Sequence, residues 1–176
     1  MINSSFYELF DSDMKRYNGD TGFYLWRFHF YLRKAQTAKN KYVKRFFYIM
    51  LKLCREKHGL EISDEVSIGR GLYLGHPYNI TINNHVTIGC NCSIHKGVTI
   101  GKENRGIRKG TPTICDNVWI GVNSTIVGNI TVGKDVLIAP NSFVNRDIPD
   151  HSIVFGNPCI IKPSDNATEG YLNYTV

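Results

Sequence analysis

The sequence predicts a mainly β fold, a parallel β-helix of six-residue repeats preceded by a helical region. The first observation is the spacing of aliphatic residues, which recur at every sixth position over most of the stretch from Ile62 to Val144. The second is the glycine that often follows them, as at Gly69, Gly89 and Gly121. An α-helix with about 3.6 residues per turn cannot bury such a period, and strand alternation does not require glycine at a fixed phase. Each short strand is therefore one flat side of a coil, and stacked coils bury the core.

The repeat is interrupted at two places, and both are candidate sites for chemistry. The interval from Leu74 to Ile82 is eight residues instead of six, so two residues are inserted there. A longer insertion at residues 102–111 lies between Ile100 and Ile114. The insertion is polar, basic and punctuated by glycine. Insertions in repeat proteins tend to lie on the binding face, so we expect functional residues beside both interruptions.

Two amphipathic helices are predicted in the N-terminal helical region, residues 1–60. Bulky residues recur at helical spacing from Gly22 to about Ala35, and a second apolar stripe runs from Val43 to Cys54. Either the two helices cap the first coil and pack between subunits, or they lie on an acidic membrane surface. We favour the cap, because an uncovered coil edge would pair with other chains.

The repeat domain is predicted to span residues 61–162, with the insertion at 102–111 as a loop that leaves the coil. A polar tail with scattered tyrosines follows at residues 163–176. Because the repeat period stops after Val144, we expect this tail to be loosely ordered.

Further motifs are typical of a known family. Three of them are Asn-Val-Trp-Ile-Gly at residues 117–121, Ile-Ala-Pro-Asn-Ser at 138–142 and Gly-Asn-Pro at 156–158. Together they resemble the hexapeptide-repeat acyltransferases, and residues 71–76 with 98–101 look most like the serine acetyltransferase branch, including polysaccharide O-acetyltransferases. The resemblance implies a left-handed parallel β-helix, which is an exception to the right-handed crossover rule. It also implies an enzyme that transfers an acetyl group from acetyl-CoA.

Composition and charge restrict the partners. A net charge of +6 and an isoelectric point near 9.1 favour an anionic partner. No nucleic-acid-binding motif accompanies the basic residues, so coenzyme A is a better candidate than nucleic acid. Neither a secretion signal nor an apolar segment long enough to span a membrane is recognised, so we expect a cytoplasmic protein. The five cysteines fit reduced thiols, and no metal site is predicted.

His76 is the predicted general base. By resemblance, it stands where serine acetyltransferases carry the histidine of an Asp-His-Ala-Thr-Gly motif. A neutral imidazole can remove the proton of an alcohol at physiological pH, and such a base contributes roughly 10²–10⁴-fold to the rate. Leu74 and Ile94 should occupy the same side of consecutive coils, so we expect His95 to lie near His76. There His95 would orient His76 or bind the acceptor, or else be an exposed surface residue.

The resemblance also implies a donor site and a homotrimer. Coenzyme A would lie in the groove between two β-helices, and a cyclic trimer would supply three such grooves as shared active sites. The matching positions are small residues of the later coils and polar residues toward the phosphates, namely Gly121, Val122, Ala139, Pro140, Asn145, Arg146 and Lys162.

The predicted acceptor is a sugar hydroxyl of a surface polysaccharide or its precursor. Gly75 stands where serine acetyltransferases have Asp, and the loop at 102–111 lacks their second histidine, so groups that hold serine are missing. Tyr78, Asn104 and Arg105 would suit a sugar ring, which offers an apolar face and several hydroxyls. Two alternatives stay open: serine O-acetylation in cysteine synthesis, and a non-catalytic β-helix scaffold.

Overall fold

The chain folds as predicted into a parallel β-helix preceded by helices. The computed structural model describes residues 5–176, so residues 1–4 of the predicted N-terminal region lie outside it. Within this range there are three helices and fourteen short strands. The helices are α1 (Phe6–Lys15), α2 (Gly22–Thr37) and α3 (Lys41–Glu56). The strands are β1 (Ser67–Ile68), β2 (Tyr73–Gly75), β3 (Thr81–Ile82), β4 (Thr87–Ile88), β5 (Ser93–His95), β6 (Thr99–Gly101), β7 (Thr113–Ile114), β8 (Val118–Ile120), β9 (Thr125–Val127), β10 (Thr131–Val132), β11 (Val136–Ile138), β12 (Phe143–Val144), β13 (Ser152–Phe155) and β14 (Ile160–Pro163).

The strands form three sheets, one for each side of the coil. The first sheet has the order β1-β4-β7-β10, the second β2-β5-β8-β11-β13-β14, and the third β3-β6-β9-β12. Neighbouring strands are parallel, except that β14 turns back antiparallel to β13. This architecture is consistent with the left-handed parallel β-helix that the resemblance implies. We call the edge where the chain passes from the second sheet to the third the second corner, and the next edge, from third to first, the third corner.

The aliphatic residue of each predicted repeat points into the coil, which confirms the spacing argument. From Ile62 to Val144, every repeat position has at most 3% of its surface exposed. Cys92, two positions before a repeat residue, is also fully buried and packs as a small hydrophobe. At Gly121, a Cβ atom would lie 2.6 Å from the backbone nitrogen of Pro140. Stacked coils therefore approach too closely at this corner for any side chain.

Helices α1 and α2 cap the open edge of the first coil. The backbone N–H groups in β2 and just before it have no earlier coil to pair with, and an unpaired edge would attract other strands. Side chains accept these hydrogen bonds instead: Gly71 N–H donates to Ser12 Oγ (3.1 Å), Leu72 N–H to Asp13 Oδ1 (2.8 Å) and Leu74 N–H to the Tyr17 hydroxyl (2.9 Å). Helix α1 escapes the sequence analysis because its buried side carries polar residues, which obscure the apolar period.

A buried ion pair joins the two capping helices. Arg33 donates to both carboxylate oxygens of Asp13, at 2.8 and 2.9 Å, and His29 Nδ1 lies 3.0 Å from Asp13 Oδ2. Burial acts to raise the pKa of Asp13, but Arg33 and His29 outweigh it and hold that pKa below its usual value. Arg33 also donates to the carbonyl oxygens of Ile68 and Gly69, at 2.8 and 2.7 Å, which ties the network to the first coil.

Helix α3 differs from the other two helices because a second row of apolar residues on it stays exposed. Of the predicted stripe from Val43 to Cys54, Leu51 is buried, and Phe47, Met50 and Cys54 are partly buried, whereas Val43 and Phe46 are exposed. Within the single chain, α3 packs on α2 through Phe47, whose ring centroid lies 6.0 Å from that of Phe30. No helix in residues 5–176 is long and apolar enough to cross a membrane.

The tail is ordered, and the expectation of a loose tail is wrong. Val176 and Asn91 exchange two hydrogen bonds, of 2.9 and 3.0 Å. Asp135 accepts from the backbone N–H groups of Ala167 and Thr168, at 3.0 Å each. Polar side chains at the coil corners thus satisfy the tail's backbone and hold it along the outer face of the second sheet.

Candidate active site

A cavity lies on the outer face of the second sheet, between the end of α1 and the tail. The register pairs Tyr73 with Ser93 and Ser93 with Trp119, so three neighbouring strands place side chains on this face. The Tyr171 ring of the tail packs 4.9 Å from Trp119 and closes one side. The cavity measures about 290 Å³ and is lined by Arg16, Tyr17, Asp20, Tyr73, Ser93, His95, Trp119, Tyr171, Asn173 and Tyr174.

His95 stands where the cavity meets the second corner. Its Nδ1 lies 3.1 Å from the carbonyl oxygen of Ile120. Since a carbonyl only accepts, Nδ1 carries the proton and Nε2 offers a lone pair. Burial lowers the pKa of His95, and the neighbouring His76 lowers it further, against the opposing effect of the Ile120 hydrogen bond. The lowered pKa favours the neutral form of His95 at physiological pH.

His76 follows β2 directly at the second corner, beside His95. Gly75 pairs in register with His95, and Leu74 pairs with Ile94, as the stacking argument predicts. His76 is exposed, and its backbone φ of 50° lies in the left-handed region. Ten other non-glycine residues of 5–176 share this conformation, and eight of them are Asn or Asp, so it reflects the tight turn at a coil corner. The two imidazoles are therefore neighbours, while their catalytic roles stay predictions.

Gly75 leaves room for the His95 ring. A Cβ atom at this position would lie 2.3 Å from Cδ2 and 2.6 Å from Nε2 of His95. The Asp that the resemblance leads one to expect here therefore has no space while His95 keeps its orientation. The absence of a carboxylate at residue 75 and the presence of His95 are therefore linked, because the His95 ring occupies the space that a side chain at residue 75 would need.

We expect Gly75→Ala to displace the His95 ring and lower the free energy of unfolding by about 1–3 kcal/mol. Adding His95→Ala should restore most of that stability, because the clash disappears. Chemical denaturation of both variants measures the effect. Gly101→Ala is the matched control in a strand of the same β-helix, since its added Cβ would meet nothing closer than 3.4 Å. A Gly75→Ala protein as stable as the unmodified chain would contradict this account.

Arg16 brings a buried positive charge to the cavity. It is 3% exposed, and its two terminal nitrogens donate to the Asn173 carbonyl and to Ser93 Oγ, both at 2.7 Å. Its Nε has no hydrogen-bond partner, and no carboxylate of residues 5–176 lies within ion-pair distance of it. Asp20, in the turn after α1, lines the same cavity and is exposed. The cavity thus offers one cationic and one anionic group to a ligand.

The predicted donor residues fall along two edges of the β-helix. Four of them lie at the second corner, in register with the coil that carries His95: Gly121, Val122, Ala139 and Pro140. Asn145 and Arg146 follow β12 at the third corner, where the loop at 102–111 also leaves the coil. Lys162 lies in β14, at the end of the second sheet.

The predicted acceptor residues do not reach the cavity within one chain. The Tyr78 ring packs 4.7 Å from His58, on the helical side of the insertion. Asn104 and Arg105 are exposed in the loop at 102–111, on the third corner. Because the second and third corners are opposite edges of the third sheet, the loop and His76 could share a site only across two subunits.

Several cavity residues are not predicted from the sequence, namely Arg16, Asp20, Tyr73, Trp119 and Tyr171. Trp119 could have been found from the sequence. It is a large aromatic residue at an outward repeat position, where it would be exposed unless another segment covers it. Arg16, Asp20 and Tyr171 come from segments far from the repeat in sequence, so no local pattern marks them. In the described part of the chain, no group of three or more His, Cys, Asp or Glu side chains could hold a metal ion.

Comparison with known proteins agrees with this geometry. Residues 111–146 match the family described as "Bacterial transferase hexapeptide (six repeats)". The serine acetyltransferase of Staphylococcus aureus (strain COL) is 36% identical over 112 residues, covering 64% of this chain and 53% of that protein. The chain therefore spans about half the length of this curated relative.

Solved structures similar to this chain are also serine acetyltransferases, and the similarity covers more of the chain. Serine acetyltransferase from Brucella abortus strain S19, in complex with coenzyme A, is 27% identical with a TM-score of 0.74, covering 89% of this chain and 67% of that one. Serine acetyltransferase from Neisseria gonorrhoeae, in complex with serine, is 26% identical with a TM-score of 0.69, covering 89% and 69%. Together with the repeat, these similarities support a hexapeptide-repeat acyltransferase. The Staphylococcus aureus relative and both solved structures are serine acetyltransferases, so the similarity lies with that branch.

Proposed function

We propose that this protein is an O-acetyltransferase that uses acetyl-CoA, with His76 as general base. The observation that carries the proposal is the pair of neighbouring imidazoles, His76 and His95, where a polar cavity meets the second corner. The relatives that share the fold are serine acetyltransferases, and one of the similar structures contains coenzyme A. A non-catalytic scaffold would have no need of this pair.

The reaction requires a base beside the acceptor hydroxyl, and in this proposal His76 supplies it. His76 takes the proton of the acceptor hydroxyl as its oxygen attacks the thioester carbonyl. The carbon–sulfur bond then breaks, and the imidazolium returns the proton to the sulfur, which leaves as the coenzyme A thiol. A neutral His95 adds no positive charge beside His76, so it does not oppose the proton transfer. In this scheme His95 acts as a positioning residue for the base or for the acceptor.

L-Serine is the acceptor that the comparisons favour, and the cavity charges support it. The sequence-based preference for a sugar rests on missing groups that would hold serine, above all the carboxylate replaced by Gly75. The cavity supplies charges from another element instead: Arg16 can meet a carboxylate and Asp20 an ammonium. A small zwitterion needs such placed charges, because it offers little surface for other contacts.

A sugar hydroxyl is the second candidate, and the walls of the cavity favour it. Tyr73, Trp119, Tyr171 and Tyr174 line a cavity of about 290 Å³, which is larger than a serine molecule. Aromatic rings stack on the apolar face of a sugar, while Asn173 and Ser93 offer hydrogen-bonding groups to its hydroxyls.

Steady-state assays with L-serine, nucleotide sugars and oligosaccharides distinguish the two acceptors. We expect the highest kcat/KM for L-serine, and we expect Asp20→Asn to lower that value by about tenfold or more, since a charged hydrogen bond to the ammonium is lost. Asp11→Asn, at an exposed position of α1, is the matched control. A higher kcat/KM for a sugar, unaffected by Asp20→Asn, would assign the second candidate. No transfer to any acceptor, with coenzyme A still bound, would instead favour the scaffold.

We further propose a homotrimer in which each active site lies between two subunits. His76 with Gly121, Val122, Ala139 and Pro140 would form one wall of the groove. The neighbouring subunit would contribute its third corner, including Asn104, Arg105, Asn145 and Arg146, and Lys162 would approach the phosphates of coenzyme A. Light scattering should give three times the 20.0 kDa mass of the chain. A stable and active monomer would rule out a shared site.

A further inference from the structure

Helix α3 presents an apolar stripe that no other residue of 5–176 covers. Tyr42 is 73% exposed, Phe46 57%, Ile49 43% and Leu53 62%. Their spacing places all four on one side of the helix. The buried residue of the same helix, Leu51, points elsewhere, toward the core. The stripe is therefore not the face by which α3 is held in the fold.

The exposed surface continues from α3 onto α2 through aromatic contacts. Ring centroids are separated by 5.2 Å between Phe46 and Phe47, by 6.0 Å between Phe47 and Phe30, and by 5.1 Å between Phe30 and Trp26. Trp26 is itself 41% exposed, and Phe23, one helical turn earlier, is 76% exposed. A contiguous apolar surface of this kind on a folded protein marks an interaction site.

The charge around this surface is strongly one-sided. Residues 23–57 contain ten Lys or Arg side chains and a single acidic one, Glu56. Arg45 and Lys52 are exposed on α3, and helical spacing puts both along one edge of the apolar stripe. Two of the ten are already paired, Arg33 with the buried Asp13 at 2.8 Å and Lys44 with Asp64 at 3.5 Å. A partner for this face should therefore be both apolar and anionic.

We propose that α3, together with Phe23 and Trp26 of α2, binds the surface of an anionic lipid bilayer. The apolar stripe would enter the boundary between headgroups and acyl chains, with the helix parallel to the membrane. Arg45 and Lys52 would contact the anionic headgroups. A second copy of this chain is a poorer occupant, because two such faces would bring like charges together.

Vesicle sedimentation of the full chain tests the proposal. We expect binding to vesicles of phosphatidylcholine mixed with phosphatidylglycerol, and much weaker binding to phosphatidylcholine alone. Replacing two stripe residues, Phe46→Ser with Leu53→Ser, should weaken the binding by about tenfold or more, since their apolar surface no longer enters the bilayer. Reversing two charges, Arg45→Glu with Lys52→Glu, should weaken it by a similar factor and only on the acidic vesicles.

The matched control is Ile107→Ser, which removes an apolar side chain that is 97% exposed in the loop at 102–111. It should leave vesicle binding unchanged, and circular dichroism of all variants should show the same helix content. Equal binding to neutral and acidic vesicles would overturn the proposal, and so would full binding by the Phe46→Ser and Leu53→Ser variant. Concentration-dependent self-association that this variant abolishes, with no binding to vesicles, would assign the face to a second copy instead.

Discussion

Replacing His76 with alanine is expected to lower kcat by roughly two orders of magnitude or more, because the acceptor hydroxyl loses its general base. Affinity for coenzyme A should stay nearly unchanged, since His76 precedes the later coils in which the proposed donor residues lie. Steady-state kinetics with acetyl-CoA and the best acceptor give kcat, and calorimetric titration with coenzyme A gives the affinity.

Two observations would separate this role from a structural one. His85→Ala is the matched control, because His85 is also an exposed histidine between strands but follows the third sheet rather than the second. It should keep near-normal activity. In the unmodified enzyme, NMR titration of the neighbouring His95 should give a pKa below its ordinary value, since burial lowers it. A His76→Ala protein with near-normal kcat would remove the general-base role.

Replacing Asp13 with alanine is expected to lower the free energy of unfolding by about 3–5 kcal/mol. The change would leave Arg33 as a buried charge with no carboxylate partner and would remove the acceptor for the Leu72 N–H group. Both groups lie at the junction of α1, α2 and the first coil, so the cap should detach from the β-helix. Thermal and urea unfolding, followed by circular dichroism, measure the loss. Asp11→Ala, at an exposed position of the same helix, should change stability by less than about 0.5 kcal/mol.

The same network makes stability depend on pH in a defined direction. The pKa of Asp13 is lowered in the folded state, since Arg33 and His29 outweigh the burial that would raise it. Its ionisation therefore stabilises the fold fully above the unfolded pKa of about 3.9, and this contribution is lost as pH falls through the lower folded pKa. In Asp13→Ala, the acid-induced loss of stability below about pH 4 should be smaller. An unchanged acid profile would show that other carboxyl groups govern it.

The β-helix could be predicted from the sequence because its determinants are local and periodic. One aliphatic residue in each repeat must enter the core, and glycine is needed where coils come too close for a Cβ atom, as at Gly121. The interruptions at His76 and at 102–111 are visible for the same reason, since they break the period. Stacking then follows from the repeat length, which brings His95 next to His76.

The sequence predicted a helical cap, but the contribution of α1 to it, the cavity and the exposed face of α3 were decided only by the tertiary structure. Asp13, Arg16 and Asp20 belong to a short segment whose polar residues have no apolar period, and their partners lie far along the chain. The tail adds Tyr171 and Asn173 to the cavity because its backbone finds acceptors and donors at the coil corners, which no property of residues 163–176 reveals. An amphipathic pattern shows that a helix has an apolar side, but only packing decides whether that side is buried. The local sequence encodes which repeat residues are buried. A site assembled from distant segments depends instead on which surfaces the folded chain brings together.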